Sequence, residues 1–146
     1  PVLFLSAYFK KHQQLYYNRL YGYGNGEVNE WVQFFLSGVL EIAEEAIETV
    51  HKISKLRERD ILLIQSMDKR SSKSAIAVLP KLFALPIIDV PIIQKWTGFT
   101  RNGAQKLIDR FVDLKILHIR DADKKYKKSY LYKDYIDIFY NAHKEG

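Results

Sequence analysis

Cysteine is absent from the 146 residues, which excludes disulfides and thiolate metal sites and fits a reducing interior, so a cytoplasmic protein is expected. Histidine is scarce. The four present, His12, His51, His118 and His143, are scattered without ligand spacing or a triad arrangement. No catalytic residue, metal or cofactor is therefore expected. Long uninterrupted apolar runs are missing too. The nearest candidate, residues 75–93, contains Lys81, Asp89, Pro80, Pro86 and Pro91, and a lipid-crossing segment does not tolerate that many interruptions. The apolar stretch 1–9 is short and is followed by Lys10 and Lys11, where a secretion signal has its cations in front. Neither a signal nor a membrane partner is expected. Met67 is the single methionine and Pro1 the first residue, so either a leading methionine was removed or the chain is a piece of something longer.

What is present is a globular composition: 47% hydrophobic, 27% charged, with ten Tyr and eight Phe, enough to bury a core. Lys and Arg outnumber Asp and Glu by 23 to 17, and the resulting net charge of +6 favours polyanionic partners.

Along the chain, Ser6 is placed to cap a first helix running to Leu20, with Tyr8, Leu15, Tyr16 and Leu20 on one face. Residues 21–26 read as a glycine-rich turn. Asn29 is placed to cap a long helix whose apolar stripe is Trp31, Phe35, Gly38, Ile42, Ala46, Val50, Ile53 and Leu56. If it reaches Met67 this helix is about 60 Å long, which calls for a partner or a kink, and a homodimer through the stripe is the expected partner. Glu41, Glu44, Glu45 and Glu48 read as its solvated face.

The polar segment 68–74 reads as the boundary between a helical scaffold, residues 1–70, and a second module, residues 71–146. In that module an apolar helix over 75–85 stops at Pro86. A short helix over 91–97 has proline in its first turn and Gly98 beyond its end. Thr100 caps a third helix with Ala104, Leu107, Ile108, Phe111 and Leu114 inward. Segments 116–120 and 129–133 alternate like a β-hairpin around a lysine-rich turn. The predicted fold class is mainly α with a small hairpin, in the element order of a winged helix-turn-helix. Duplex DNA is the expected partner. On the third helix Arg101, Asn102, Gln105 and Lys106 are types that pair with guanine and adenine edges. At the hairpin tip Lys124, Lys125, Lys127 and Lys128 surround Tyr126, a grouping suited to phosphate contacts.

The run Thr100-Arg-Asn-Gly-Ala-Gln-Lys-Leu-Ile-Asp-Arg-Phe-Val-Asp-Leu-Lys-Ile-Leu117 resembles the recognition-helix signature of winged-helix modules, which usually ends in Gly-Ile-Leu. Lys115 stands in place of that glycine, at a position that often needs positive φ. A second resemblance spans nearly the whole chain. Pro1-Val-Leu-Phe-Leu-Ser-Ala-Tyr-Phe9, Tyr16-Tyr17 and Trp31-Val-Gln-Phe-Phe-Leu-Ser-Gly-Val39 resemble the region after the catalytic motif of Fic-family proteins. That resemblance implies a helical Fic-like scaffold with a winged-helix tail, in a family that transfers AMP or another phosphate-containing group from a nucleotide to a protein hydroxyl. The family's catalytic loop, His-Pro-Phe followed after two residues by Gly-Asn-Gly-Arg, does not occur here. Gly24-Asn-Gly26 is followed by Glu27 where arginine is needed, and no His-Pro-Phe precedes it, so it reads as a turn. The expectation is thus a non-enzymatic, DNA-binding region with a part in transcription regulation. The alternative is a protein-interaction or dimerisation module regulating a Fic adenylyltransferase half located upstream.

Overall fold

The structure, a computed structural model, describes residues 2–120 and 128–142. It is mainly helical with a small antiparallel sheet, and it divides into two compact units, one ending at His51 and the other starting at Lys52.

The first unit comprises α1 (Val2–Lys11), α2 (Gln13–Gly24) and the first half of α3 (Val28–Gln65). The single helix expected from Ser6 to Leu20 is thus two helices. The chain is already helical at Val2, so Ser6 lies inside α1 and not at its start, and the backbone leaves helical geometry at His12 (φ −108°, ψ 37°). Ring contacts bridge the break, with Tyr8 and His12 centroids 4.6 Å apart and Phe9 and Tyr16 5.0 Å apart. The expected turn over 21–26 shrinks to Asn25–Glu27 because α2 continues through Gly24. Asn29 likewise lies within α3, which begins at Val28.

Burial on α3 follows the expected stripe in part. Gly38 and Leu56 are buried and Trp31, Ile42 and Ile53 half-buried, whereas Phe35, Ala46 and Val50 are exposed and Phe34, outside the stripe, is buried. Aromatic packing decides this: Phe34 meets Tyr8 and Phe9, with ring centroids 5.5 and 5.7 Å apart. Gly38 faces the Tyr8 ring so closely that a Cβ there would lie 2.6 Å from it, so only glycine fits.

The second unit contains the rest of α3, α4 (Lys69–Ala84), β1 (Ile87–Ile88), α5 (Val90–Thr97), α6 (Arg101–Asp113), β2 (His118–Ile119), β3 (Tyr130–Leu131) and α7 (Lys133–Ala142). The unit takes in the end of α3 because Leu56, Asp60 and Ile64 are buried in it. The segment 68–74, read as an irregular boundary, is largely helix. Asp68 accepts a hydrogen bond from the Ser71 amide at 3.0 Å, and α4 starts one residue after this cap. Asp89 caps α5 in the same way through the Ile92 amide, and Gly98 ends it in the left-handed conformation (φ 72°).

Two strands pair as the expected hairpin, His118 opposite Leu131 and Ile119 opposite Tyr130. The other edge of β3 is taken by β1, Ile87 opposite Leu131 and Ile88 opposite Tyr130, giving the order β1-β3-β2. Neither β1 nor α7 was expected. Ile88, Ile93, Ile108, Phe111, Leu117 and Tyr132 form the centre of a core that the sheet and α4, α5 and α6 share.

Candidate nucleic-acid interface

Helix α6 is specified locally. Thr100, in extended geometry (φ −60°, ψ 162°), accepts from the Gly103 amide at 3.2 Å and fixes the first turn. Ala104, Leu107, Ile108 and Phe111 are buried, as their spacing predicts. That face orients the remaining side chains outward.

The C-terminal end of α6 forms a complete Schellman motif. The Ile116 amide bonds the Phe111 carbonyl and the Lys115 amide bonds the Val112 carbonyl, both at 2.9 Å. Lys115 takes the left-handed conformation (φ 58°) that glycine usually supplies, the one non-glycine with positive φ among the described residues. The change from the usual glycine therefore leaves the turn intact, and the chain passes directly through Ile116 and Leu117 into β2.

Arg101, Asn102 and Lys106 are all exposed. Gln105 is not free in the same sense. Its amide nitrogen donates to Asp109 Oδ1 at 2.7 Å and to the Tyr130 hydroxyl at 3.1 Å, which ties α6 to β3. Of the lysines expected at the hairpin tip, Lys128 is half-buried just before β3, and Lys124, Lys125 and Lys127 lie outside the described residues.

Arg110, one turn beyond Lys106, was not singled out from the sequence. The signal was available: Asn102, Lys106 and Arg110 recur at four-residue spacing and so share a side of α6. Lys106 and Arg110 border a cleft of about 680 Å³ lined by Asp68, Ser71 and Ser74 of the α4 start and by Gly98, Phe99, Thr100, Gly103 and Leu107. Across it Arg110 Nη2 and Asp68 Oδ2 are 3.5 Å apart.

Asp60 and Tyr132 are both fully buried, and the Tyr132 hydroxyl donates to Asp60 Oδ2 at 2.5 Å. Arg59 donates from Nε to Asp60 Oδ1 at 2.8 Å and from Nη1 to Asp134 Oδ2 at 2.7 Å. Burial, together with the hydrogen bond to Asp60, pushes the Tyr132 phenol well above its ordinary value. This network joins α3 to the β3–α7 junction.

Among the described residues no group of three His, Asp or Glu stands close enough to hold a metal ion, and no helix is long and apolar enough to cross a membrane. In comparisons with known proteins, the chain matches no family model and no curated sequence.

Proposed function

We propose that the chain is a non-catalytic, DNA-binding regulatory region of a Fic-like protein, in which the second unit works as a winged helix-turn-helix with α6 in the major groove. The observation that carries this reading is α6 itself. One face is sealed into the core, and the other keeps Arg101, Asn102 and Lys106 exposed from the first turns, where a groove-inserted helix meets base edges. The element order from α4 to β3 supports it, as does the net charge of +6. No transfer chemistry is assigned, because the base and phosphate loop that the Fic resemblance calls for are missing from the sequence.

Binding to a duplex selected from a random pool and to a scrambled duplex, measured at several salt concentrations, tests this reading. Arg101→Ala should cost about 1–3 kcal/mol at one base position and relax preference there. Neutralising Lys124, Lys125, Lys127 and Lys128 should weaken both duplexes alike and flatten the dependence of log affinity on log salt by about one unit per lost contact. Failure of the wild-type chain to bind either duplex at low salt overturns the reading, as does equal, salt-insensitive behaviour of all three proteins.

A second reading, dimerisation through α3, is favoured by one observation within the first unit. Leu36, Leu40, Ile47 and Val50 are each about 60% exposed, a row of large apolar side chains that a soluble helix ordinarily covers. Light scattering at high micromolar concentration should then give twice the chain mass, and Leu40→Glu with Ile47→Glu should return it to one. A wild-type mass of 17.2 kDa at that concentration excludes this reading.

A further inference from the structure

We infer that the exposed face of α3 pairs antiparallel with the same face of a second copy of this chain, Leu40 of each copy lying against Ala43 of the other. This rests on the dimer reading above and adds to it a direction and a register. Within the first unit α3 carries two apolar faces. One, through Trp31, Phe34 and Gly38, meets the rings of α1. The other runs through Leu36, Leu40, Ala43, Ile47 and Val50, all exposed, with Val39 and Ala46 exposed beside it. At 3.6 residues per turn the two rows fall on nearly opposite sides of the helix. These seven contiguous apolar side chains exceed the patch of a few hundred Å² that a monomer ordinarily leaves open, and two copies together reach the low end of specific interfaces, ~1,200 Å².

Spacing, residue size and charge point to the occupant. The exposed row advances by four, three, four and three residues, the 3.5-residue repeat that keeps a seam facing another helix. In heptad terms Leu40 and Ile47 take position a, and Leu36, Ala43 and Val50 take position d. Antiparallel helices set a against d. With Leu40 opposite Ala43, the same register sets Leu36 opposite Ile47, and a twofold axis repeats both contacts, so the face is complementary to itself. The large side chain meets the small one at the centre, and Val50 falls over the stem of Gln33. The flanks choose the direction. In an antiparallel pair like flanks meet, so Val39 and Ala46 cover one another on one side, while Glu44 lies beside Ser37 on the other. A parallel pair would press Val39 against the Glu44 carboxylate and set Glu41, Glu44, Glu45 and Glu48 of both copies level with one another. A seam of about two and a half heptads is short, so pairing is expected in the micromolar range.

The test uses the full chain, which has no cysteine of its own. Leu36→Cys and Ile47→Cys are made as separate chains, both at exposed positions, and thermal melts check that each is folded. Under mild oxidation neither should cross-link alone, because like thiols would stand about 16 Å apart along the pair. Mixed, the two should give the 36–47 disulfide, identified by mass. Ser37→Lys should tighten the dimer about threefold by facing Glu44 of the other copy, and Glu44→Gln should remove that gain. Light scattering of the wild-type chain at high micromolar concentration reports the dimer independently. The mixed disulfide together with the Glu44-dependent gain upholds the pairing. A dimer that forms 36–36 and 47–47 disulfides is parallel, and one that cross-links in no combination pairs elsewhere; either overturns this inference and leaves the dimer reading standing. A gain that survives Glu44→Gln overturns the register as well. A wild-type chain that stays single at that concentration removes the inference and the dimer reading together.

Discussion

Replacing Asp60 by Ala should destabilise the fold by about 3–5 kcal/mol, measured by urea unfolding, because it removes the fully buried acceptor that Tyr132 and Arg59 share. The Tyr132 hydroxyl inside the core then loses its acceptor, and Arg59 loses one of two, keeping its bond to Asp134. Tyr132→Phe should cost less, about 1.5–3 kcal/mol, since the carboxylate keeps its bond to Arg59. The pair should therefore be strongly non-additive in a double-mutant cycle. The network also sets an alkaline limit. The Tyr132 phenol is raised in the folded state, so the unfolded chain releases that proton first. Stability is fully present below the ordinary value near 10 and falls as pH rises above it. A cost below 1 kcal/mol for Asp60→Ala would mean that the site relaxes to admit water.

Phe111→Ala should cost about 3–5 kcal/mol in the same assay, through lost transfer energy and the cavity left behind. Phe111 is 1% exposed at the centre of the core, and its carbonyl accepts the Schellman bond from Ile116, so the site is held from both side chain and backbone and has little freedom to collapse. Leu40→Ala is the matched control. At 61% exposed it should change stability by less than about 0.5 kcal/mol in the monomeric chain. Comparable losses at both positions would show that Leu40 is covered in solution and that the assay was reading an interface.

These residues also show where the sequence was informative. Helix α6 was legible in full because three local signals agree: Thr100 as cap, a 3.6-residue apolar period through Phe111, and a left-handed position after Leu114. Helix α5 was legible from Pro91 and Gly98, while its Asp89 cap emerged only with the structure. Helix α4 was misjudged at its start because Lys69, Ser72 and Lys73 look like a loop, yet they are the outward face of a helix whose inward positions are Ser71, Ala75 and Val78. Strand β1 is two residues long inside an apolar run, and its pairing with Tyr130 and Leu131 has no local signature. Asp60 resisted any hydrophobic-pattern reading, since a charged residue is buried only where distant partners, here Tyr132 and Asp134 through Arg59, supply its bonds.

The candidate site divides along the same line. Arg101, Asn102 and Lys106 could be named from a helix pattern alone. The tether of Gln105 to Tyr130 spans 25 positions in the chain and needed the sheet to be seen. Ser71 was hidden twice over, first by its place in an apparent linker and then because only the fold brings the start of α4 beside the start of α6.

Helix α3 has a practical bearing on how the chain is divided for study. Its last three turns contribute Leu56, Asp60 and Ile64 to the core of the second unit, and no loop separates them from the residues of the first. A fragment cut at the polar segment 68–74, where sequence composition suggests a natural join, would therefore start without part of its own interior. An expression fragment meant to hold the second unit has to begin upstream of Leu56, within the helix.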